Sequence, residues 1–279
     1  MEAGGAPARR ALQPLAWTKL TTMNTRTHTA PDPLSNEHRE ANAAIAKWEQ
    51  FAQDDPYSYI VTSLKGEDAG EFWKSGERTI QEEFFPLLKT HDVRPLVALE
   101  LGCGVGRLAV PLAHRFREVV GVDISRGMIE RATSFARDNG IANVSYSAIS
   151  GPVDFLRQGG KHADGCDFIY SLLVFQHIPD SSIIEGYLHV IRHLLHEQGL
   201  AYLQFDTRPK TFAYRLKTRL PDFLLPRFWR RGIRRIRRSI DEIEPAMRRA
   251  GLETVGELTP HTAYHRYILR PAKNTAGSE

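Results

Sequence analysis

The chain is expected to fold as an α/β domain: a mostly parallel sheet, helices on both faces and an antiparallel hairpin at the end. Three observations predict this. Short apolar runs alternate with helical patterns between residues 97 and 205, as parallel strands joined by crossover helices do. The first run, Val97 to Leu101, passes straight into Gly102, Gly104 and Gly106, three glycines at alternate positions. The last two runs, Leu252 to Leu258 and Tyr264 to Leu269, are joined only by Thr259-Pro260-His261-Thr262-Ala263, too short for a crossover, so they pair antiparallel.

Each element follows in order. Residues 1–40 are rich in Ala, Pro, Thr, Asn and Gly without any period, and are expected to be disordered. Residues 41–94 form a helical cap. Ala44, Ile45, Trp48 and Phe51 make one apolar face, and Ile80, Phe84, Leu87 and Leu88 a second stripe. Val97–Leu101 is apolar apart from Glu100, which suits a buried parallel strand. The glycine turn at its carboxyl end lies where open α/β sheets bind ligands, and a helix is expected from Leu108 to Phe116. Glu118 to Asp123 is a second strand, with Ser125 as N-cap of the next helix. Asn143 to Ala148 is a third strand. A fourth strand starts at Asp167 and its loop runs to Pro179. A helix from Ile183 to Leu195 is expected to end at a left-handed Gly199, before a fifth strand at Leu200 to Phe205. Ser239 to Glu242 has capping-box spacing and opens a helix that stops at Gly251.

The glycine spacing separates ligand classes. A dinucleotide loop needs a third glycine three residues after the second, and this chain has Arg107 there. Its pattern is Glu100-x-Gly102-x-Gly104-x-Gly106. Asp123, closing the second strand, can accept from both hydroxyls of a ribose. The following Ile124-Ser125-Arg126-Gly127-Met128 completes a pair of motifs that resembles the class I S-adenosylmethionine-dependent methyltransferases, over about residues 67–206.

That resemblance implies a Rossmann-like, seven-stranded sheet and S-adenosyl-L-methionine as cofactor. The domain then spans 41–275, with the cap at 41–94 and a basic helical insertion at 207–238. Carried over residue by residue, cofactor binding falls to Glu100, Gly102, Cys103, Gly104, Gly106 and Arg107 in the loop. Asp123, Ile124 and Met128 join them from the second motif, and Ser171 from the end of the fourth strand. The family often sets an acid beyond the third strand for the adenine amino group. This chain has Ile149-Ser150-Gly151, so Ser150 or a backbone carbonyl is expected to serve. The acceptor side takes Trp73 from the cap, Gln176 from the loop after the fourth strand and Tyr264 from the hairpin. Trp73 has an ordinary core aromatic as its alternative. His177 is the candidate general base, the alternative being a packing role beside Phe175 and Pro179.

Composition bounds the remainder. The 279 residues, of which only Cys103 and Cys166 are cysteines, suit one large domain without disulfides, so a cytoplasmic protein is expected. No run approaches a membrane span. His189, His193 and His196 share a helical spacing, but no carboxylate or cysteine completes a metal set and none is expected. Residues 208–238 hold ten arginines and two lysines against Asp222, a local charge of +11, so the rest of a +4 chain carries −7. That stretch, interleaved with Phe and Trp, is a solvated helical face or a lid for an anionic or membrane-associated acceptor. Nucleic acid ranks lower because no RNA-binding module accompanies it. The expected activity is methyl transfer to an oxygen of a small-molecule, glycan or lipid-linked acceptor. The alternatives are a cofactor-binding regulatory or scaffold protein, and an RNA methyltransferase using the basic insertion.

Overall fold

The structure, a computed structural model, describes residues 36–60, 69–162, 164–220, 222–224 and 235–273. The disorder expected at 1–40 therefore lies outside the described residues up to 35. At 36–40 the chain is already helical, and the cap starts earlier than its composition indicated. The cap comprises α1 (Asn36–Asp54), α2 (Pro56–Ile60) and α3 (Ala69–Thr79), which runs through a π-helical turn at Ile80–Phe84 into α4 (Phe85–Thr90).

Strands and helices then alternate. β1 (Val97–Leu101) leads to α5 (Ala109–Ala113), β2 (Glu118–Asp123) to α6 (Arg126–Asp138), and β3 (Val144–Ala148) to α7 (Pro152–Gly159). β4 (Cys166–Ser171) is followed by α8 (Ser181–Leu194), β5 (Leu195–Phe205), α9 (Phe212–Arg219), α10 (Ile240–Arg249), β6 (Leu252–Leu258) and β7 (His265–Pro271). The sheet order is β3-β2-β1-β4-β5-β7-β6. Neighbours from β3 to β5 are parallel, while β7 is antiparallel to both β5 and β6. The strand order turns at β1 and β4, so their carboxyl ends bracket the crevice where such sheets bind ligands.

Each sheet face has its own core. On one, Phe155, Leu188, Ile191, Ile243 and Met247 of the flanking helices pack on Leu99, Val122 and Leu203. On the other, Ile80, Phe84, Leu108 and Leu112 pack on Val119, Phe168 and Tyr202. A third cluster joins the cap to the parallel half: Phe51, Phe72, Val105 and Met128, with Trp48, Tyr57, Ile60 and Trp73 against them. Strand register also lines up Tyr146, Gly121, Glu100, Tyr170 and Tyr202 across five strands. Gly121 is required there, because a Cβ would come 2.7 Å from the Tyr146 ring.

Three expectations are corrected. Helix α8 passes directly into β5, with Leu195 already extended at φ −72°, ψ 129°. Gly199 lies inside that strand without a positive φ. It is needed because a Cβ would sit 2.8 Å from the Cys166 carbonyl, where the β4–β5 register shifts. The earlier strand start also puts His196 in β5, so His189, His193 and His196 do not share a helix face. The helix after the glycine turn is shorter than expected, Ala109–Ala113.

Candidate cofactor and acceptor site

The glycine loop is built from backbone bonds. The Gly102 and Cys103 N–H groups donate to the Val122 carbonyl at 2.7 and 3.0 Å, and Gly106 donates to Cys103 at 2.9 Å. The Asp123 carboxylate closes the arrangement, accepting from Gly104 N–H through one oxygen and Ser125 N–H through the other, both at 2.9 Å. Ile124 N–H is a third backbone donor to the carboxylate, whose roughly four lone-pair sites leave room for one more. Burial raises the Asp123 pKa, and the backbone donors work against that rise. Ser125 caps α6 as expected, its hydroxyl accepting from Met128 N–H at 3.2 Å.

Gly104 holds φ +54° and faces the cap, where an added Cβ would lie 2.7 Å from Ile60 Cδ1. Gly102 opposes Val174, and Gly106 opposes the Tyr146 hydroxyl. Ile124 is half-buried and Met128 is buried beneath the cap.

Several expected cofactor residues turn elsewhere. Glu100 is buried on the sheet face under α3 and α4. It accepts from the Tyr170 hydroxyl at 3.0 Å and from the Ala109 backbone. Arg107 reaches α3, donating to Ser75 at 3.3 Å and Thr79 at 3.5 Å. Its carbonyl passes so close to Gly76 that a Cβ would collide. Gly76 and Arg107 thus clamp the loop to the cap. The Ser171 hydroxyl donates to the Leu101 carbonyl at 2.9 Å, tying β4 to β1. Cys103 and Cys166 are free and buried.

Desolvation pushes the Glu100 carboxyl up to about 8, more than Tyr170 and Arg107 draw it down. Its ordinary value is 4.5, so between these limits the folded state holds a proton that the unfolded chain releases. Stability therefore falls as pH rises through that window. Glu100→Gln, an isostere of the neutral acid, is expected to remove a loss of stability on the order of a few kcal/mol between about pH 5 and 8, seen as a flatter decline in Tm. A variant whose Tm declines as steeply as the parent's would mean that the folded carboxyl is already ionised.

Beyond β3, Ser150 is exposed. Its N–H and hydroxyl both donate to Asp154, at 3.0 and 2.6 Å. Asp154 sits in the first turn of α7 and also takes Arg157 at 2.9 Å. The acid that the loop sequence seemed to lack is therefore present, four residues further on. Its signal was Pro152, which opens a helix and so brings Asp154 back beside Ser150. Glu49 was also missed. From α1 it accepts from Arg126 N–H at 2.6 Å and Gly127 N–H at 3.1 Å, an anion at the positive end of α6. A single acid in a helix facing solvent on sequence grounds carries no mark of that docking.

After β4 the chain makes a 3-10 turn, Phe175–His177. The His177 ring meets Trp48 of the cap edge-on at 5.5 Å, and its Nε2 lies 3.3 Å from the Gln176 amide nitrogen. Gln176 is buried, and its amide oxygen has no hydrogen-bond partner among the described residues. Its carbonyl accepts from Ile236 N–H at 2.7 Å. Arg238 fixes the same turn, donating to the carbonyls of Phe175 (3.4 Å), Ile178 (2.6 Å) and Pro179 (3.0 Å). Tyr264 is exposed under the Arg235 guanidinium at 5.2 Å. Trp73 stacks on Phe135 of α6 at 3.8 Å and packs edge-on against Phe72 at 5.4 Å. That places it in the packing between the cap and α6, in the same apolar cluster as Trp48.

Residues 98–199 match a family described as methyltransferase domain. Among curated relatives of the chain is a Rickettsia canadensis ubiquinone biosynthesis O-methyltransferase, 27% identical over 135 residues, which are 48% of this chain and 52% of that protein. A Stenotrophomonas maltophilia 23S rRNA (uracil(1939)-C(5))-methyltransferase is 48% identical over 114 residues, 41% of this chain and 23% of that protein. The chain thus spans about half or less of these relatives. In fold, the chain resembles an S-adenosylmethionine-dependent methyltransferase from Anabaena variabilis, with a TM-score of 0.56, 20% identity and coverage of 83% of this chain and 94% of that one. The residues fit S-adenosyl-L-methionine as a cofactor: the Asp123 carboxylate lies against the Gly104 backbone, and Asp154 lies beyond the carboxyl end of β3. Among the described residues, no helix is long and apolar enough to cross a membrane, and no cluster could hold a metal.

Proposed function

We propose that the protein methylates an oxygen of a small-molecule, glycan or lipid-linked acceptor. The observation that carries this reading is the turn at Gln176 and His177, where a buried amide oxygen with no partner among the described residues and an imidazole lie together beside Trp48. When bound, the cofactor supplies a methyl group already activated on a sulfonium. The chain's own part is then to align the acceptor, worth up to roughly 7–11 kcal/mol in the best oriented cases, and to take its proton. Asp123 accepts from a ribose hydroxyl, and Asp154 or Ser150 from the adenine amino group. Gln176 accepts from the acceptor, and His177 removes the hydroxyl proton. A second reading, RNA methylation, is favoured by the +11 of residues 208–238.

Incubation with cofactor labelled in its methyl group and fractionated extract tests both. Label in a small organic fraction, stable to RNase, supports the first reading, and label in RNA supports the second. Calorimetry is expected to show S-adenosylmethionine and its demethylated product binding more tightly than NAD. Asp123→Ala is expected to weaken both by about 1.5–3 kcal/mol and to lower Tm, because Gly104 and Ser125 N–H lose their acceptor. Unchanged affinity in Asp123→Ala would remove Asp123 from the site.

A further inference from the structure

We infer that α9 and the turn after it form a docking surface for an anionic lipid bilayer. Among the described residues, nine large hydrophobic side chains are exposed, and five of them lie in this short stretch: Phe212, Leu216, Leu220, Phe223 and Leu224. Phe212 is 81% and Phe223 78% exposed. Phe212 and Leu216 are one helical turn apart and share a side of α9.

The helix cannot roll this side inward, because its other side is anchored. Tyr214 is buried, its hydroxyl accepts from Arg237 N–H at 3.1 Å, and its ring lies under the Arg237 guanidinium at 4.5 Å. At the start of the segment Lys210 pairs with Glu242 at 2.8 Å.

Charge selects the partner. This apolar side sits in a sequence stretch of +11 on a chain that is otherwise −7. A bilayer rich in anionic headgroups attracts the cations and takes bulky apolar side chains at its interface without any matching shape. An RNA would engage the cations but offers nothing to Leu216, Leu220 and Leu224. The far end of the same segment touches the acceptor side, through Ile236 to Gln176 and Arg235 to Tyr264. A docked protein would therefore hold its acceptor pocket near the lipid surface. The inference does not depend on which acceptor is methylated.

The test is flotation of the full chain with vesicles. One set is phosphatidylcholine and phosphatidylglycerol in equal parts, the other phosphatidylcholine alone. The chain is expected to float with the anionic vesicles only, and less as salt rises. The triple variant Phe212→Ser, Leu216→Ser, Phe223→Ser and the single variant Arg215→Glu are each expected to reduce vesicle binding, the triple variant on the order of tenfold. Both should keep the parent's Tm and cofactor affinity, since these side chains are exposed. The inference is overturned if the parent ignores anionic vesicles, floats equally with neutral ones, or is matched by the triple variant. It is likewise overturned if sedimentation shows the parent self-associating through this surface, or if the triple variant loses binding to structured RNA while still floating. Because none of these readouts needs turnover, they stand apart from any failure of the proposed methyl transfer.

Discussion

Replacing Gly104 by valine is expected to abolish measurable binding of S-adenosylmethionine in a calorimetric titration. The residue holds φ +54°, where a β-branched side chain is strained by about 1–3 kcal/mol. The new Cβ would also press on Ile60, 2.7 Å away, and drive the loop or the cap from its place. Either movement breaks the 2.9 Å bond from Gly104 N–H to Asp123. In the proposed site that bond orients the carboxylate toward ribose, so loop shape and nucleoside contact are expected to fail together. The core clusters do not involve Gly104, so the variant should remain folded, with a reduced Tm. A folded Gly104→Val protein that binds the cofactor as the parent does would show that the loop is not the cradle.

His177→Ala is expected to lower turnover by about 10²–10⁴-fold while cofactor affinity stays near that of the parent. His177 lies in the turn after β4, held by Arg238 from one side and facing Trp48 on the other. The cofactor contacts argued above lie at the ends of β1, β2 and β3. A split between turnover and cofactor affinity is what a proton acceptor for the substrate would produce, and a packing residue would not. The measurement needs an acceptor whose chemical step limits the rate. Turnover close to the parent's on such an acceptor would return His177 to a packing role against Trp48.

Much of this architecture was legible before any coordinates. Apolar runs broken by glycine and Asp123 mark buried parallel strands because both faces of such strands are covered. The short link from Leu258 to Tyr264 allows only a hairpin. What the sequence concealed was direction. Glu100 sits in the motif where a ligand contact is expected, yet strand alternation sends it to the face with Tyr170. Arg107 follows the loop but turns to α3. Glu49 was invisible for the opposite reason: it reaches the site through a helix whose docking angle no local pattern encodes. Gly199 misled because a glycine after a helical run suits a left-handed stop equally well as a close approach to a neighbouring strand. Only the Cys166 carbonyl, contributed from far earlier in the chain, decides between them.

Arg238 has a practical consequence for anyone transplanting acceptor preference between related proteins. The natural fragment to exchange is the stretch from the end of β5 to the start of α10. Its last arginine belongs to the recipient scaffold as well as to the graft. Arg238 is buried and lends its donors to three carbonyls of the β4 turn, while its own N–H answers the Asp206 carbonyl at 2.9 Å. A cut placed beyond it imports a residue that must fit a foreign turn. A cut placed before it leaves the turn's own brace in place, so chimeras joined ahead of Arg238 should keep the His177 geometry and those joined after it should not.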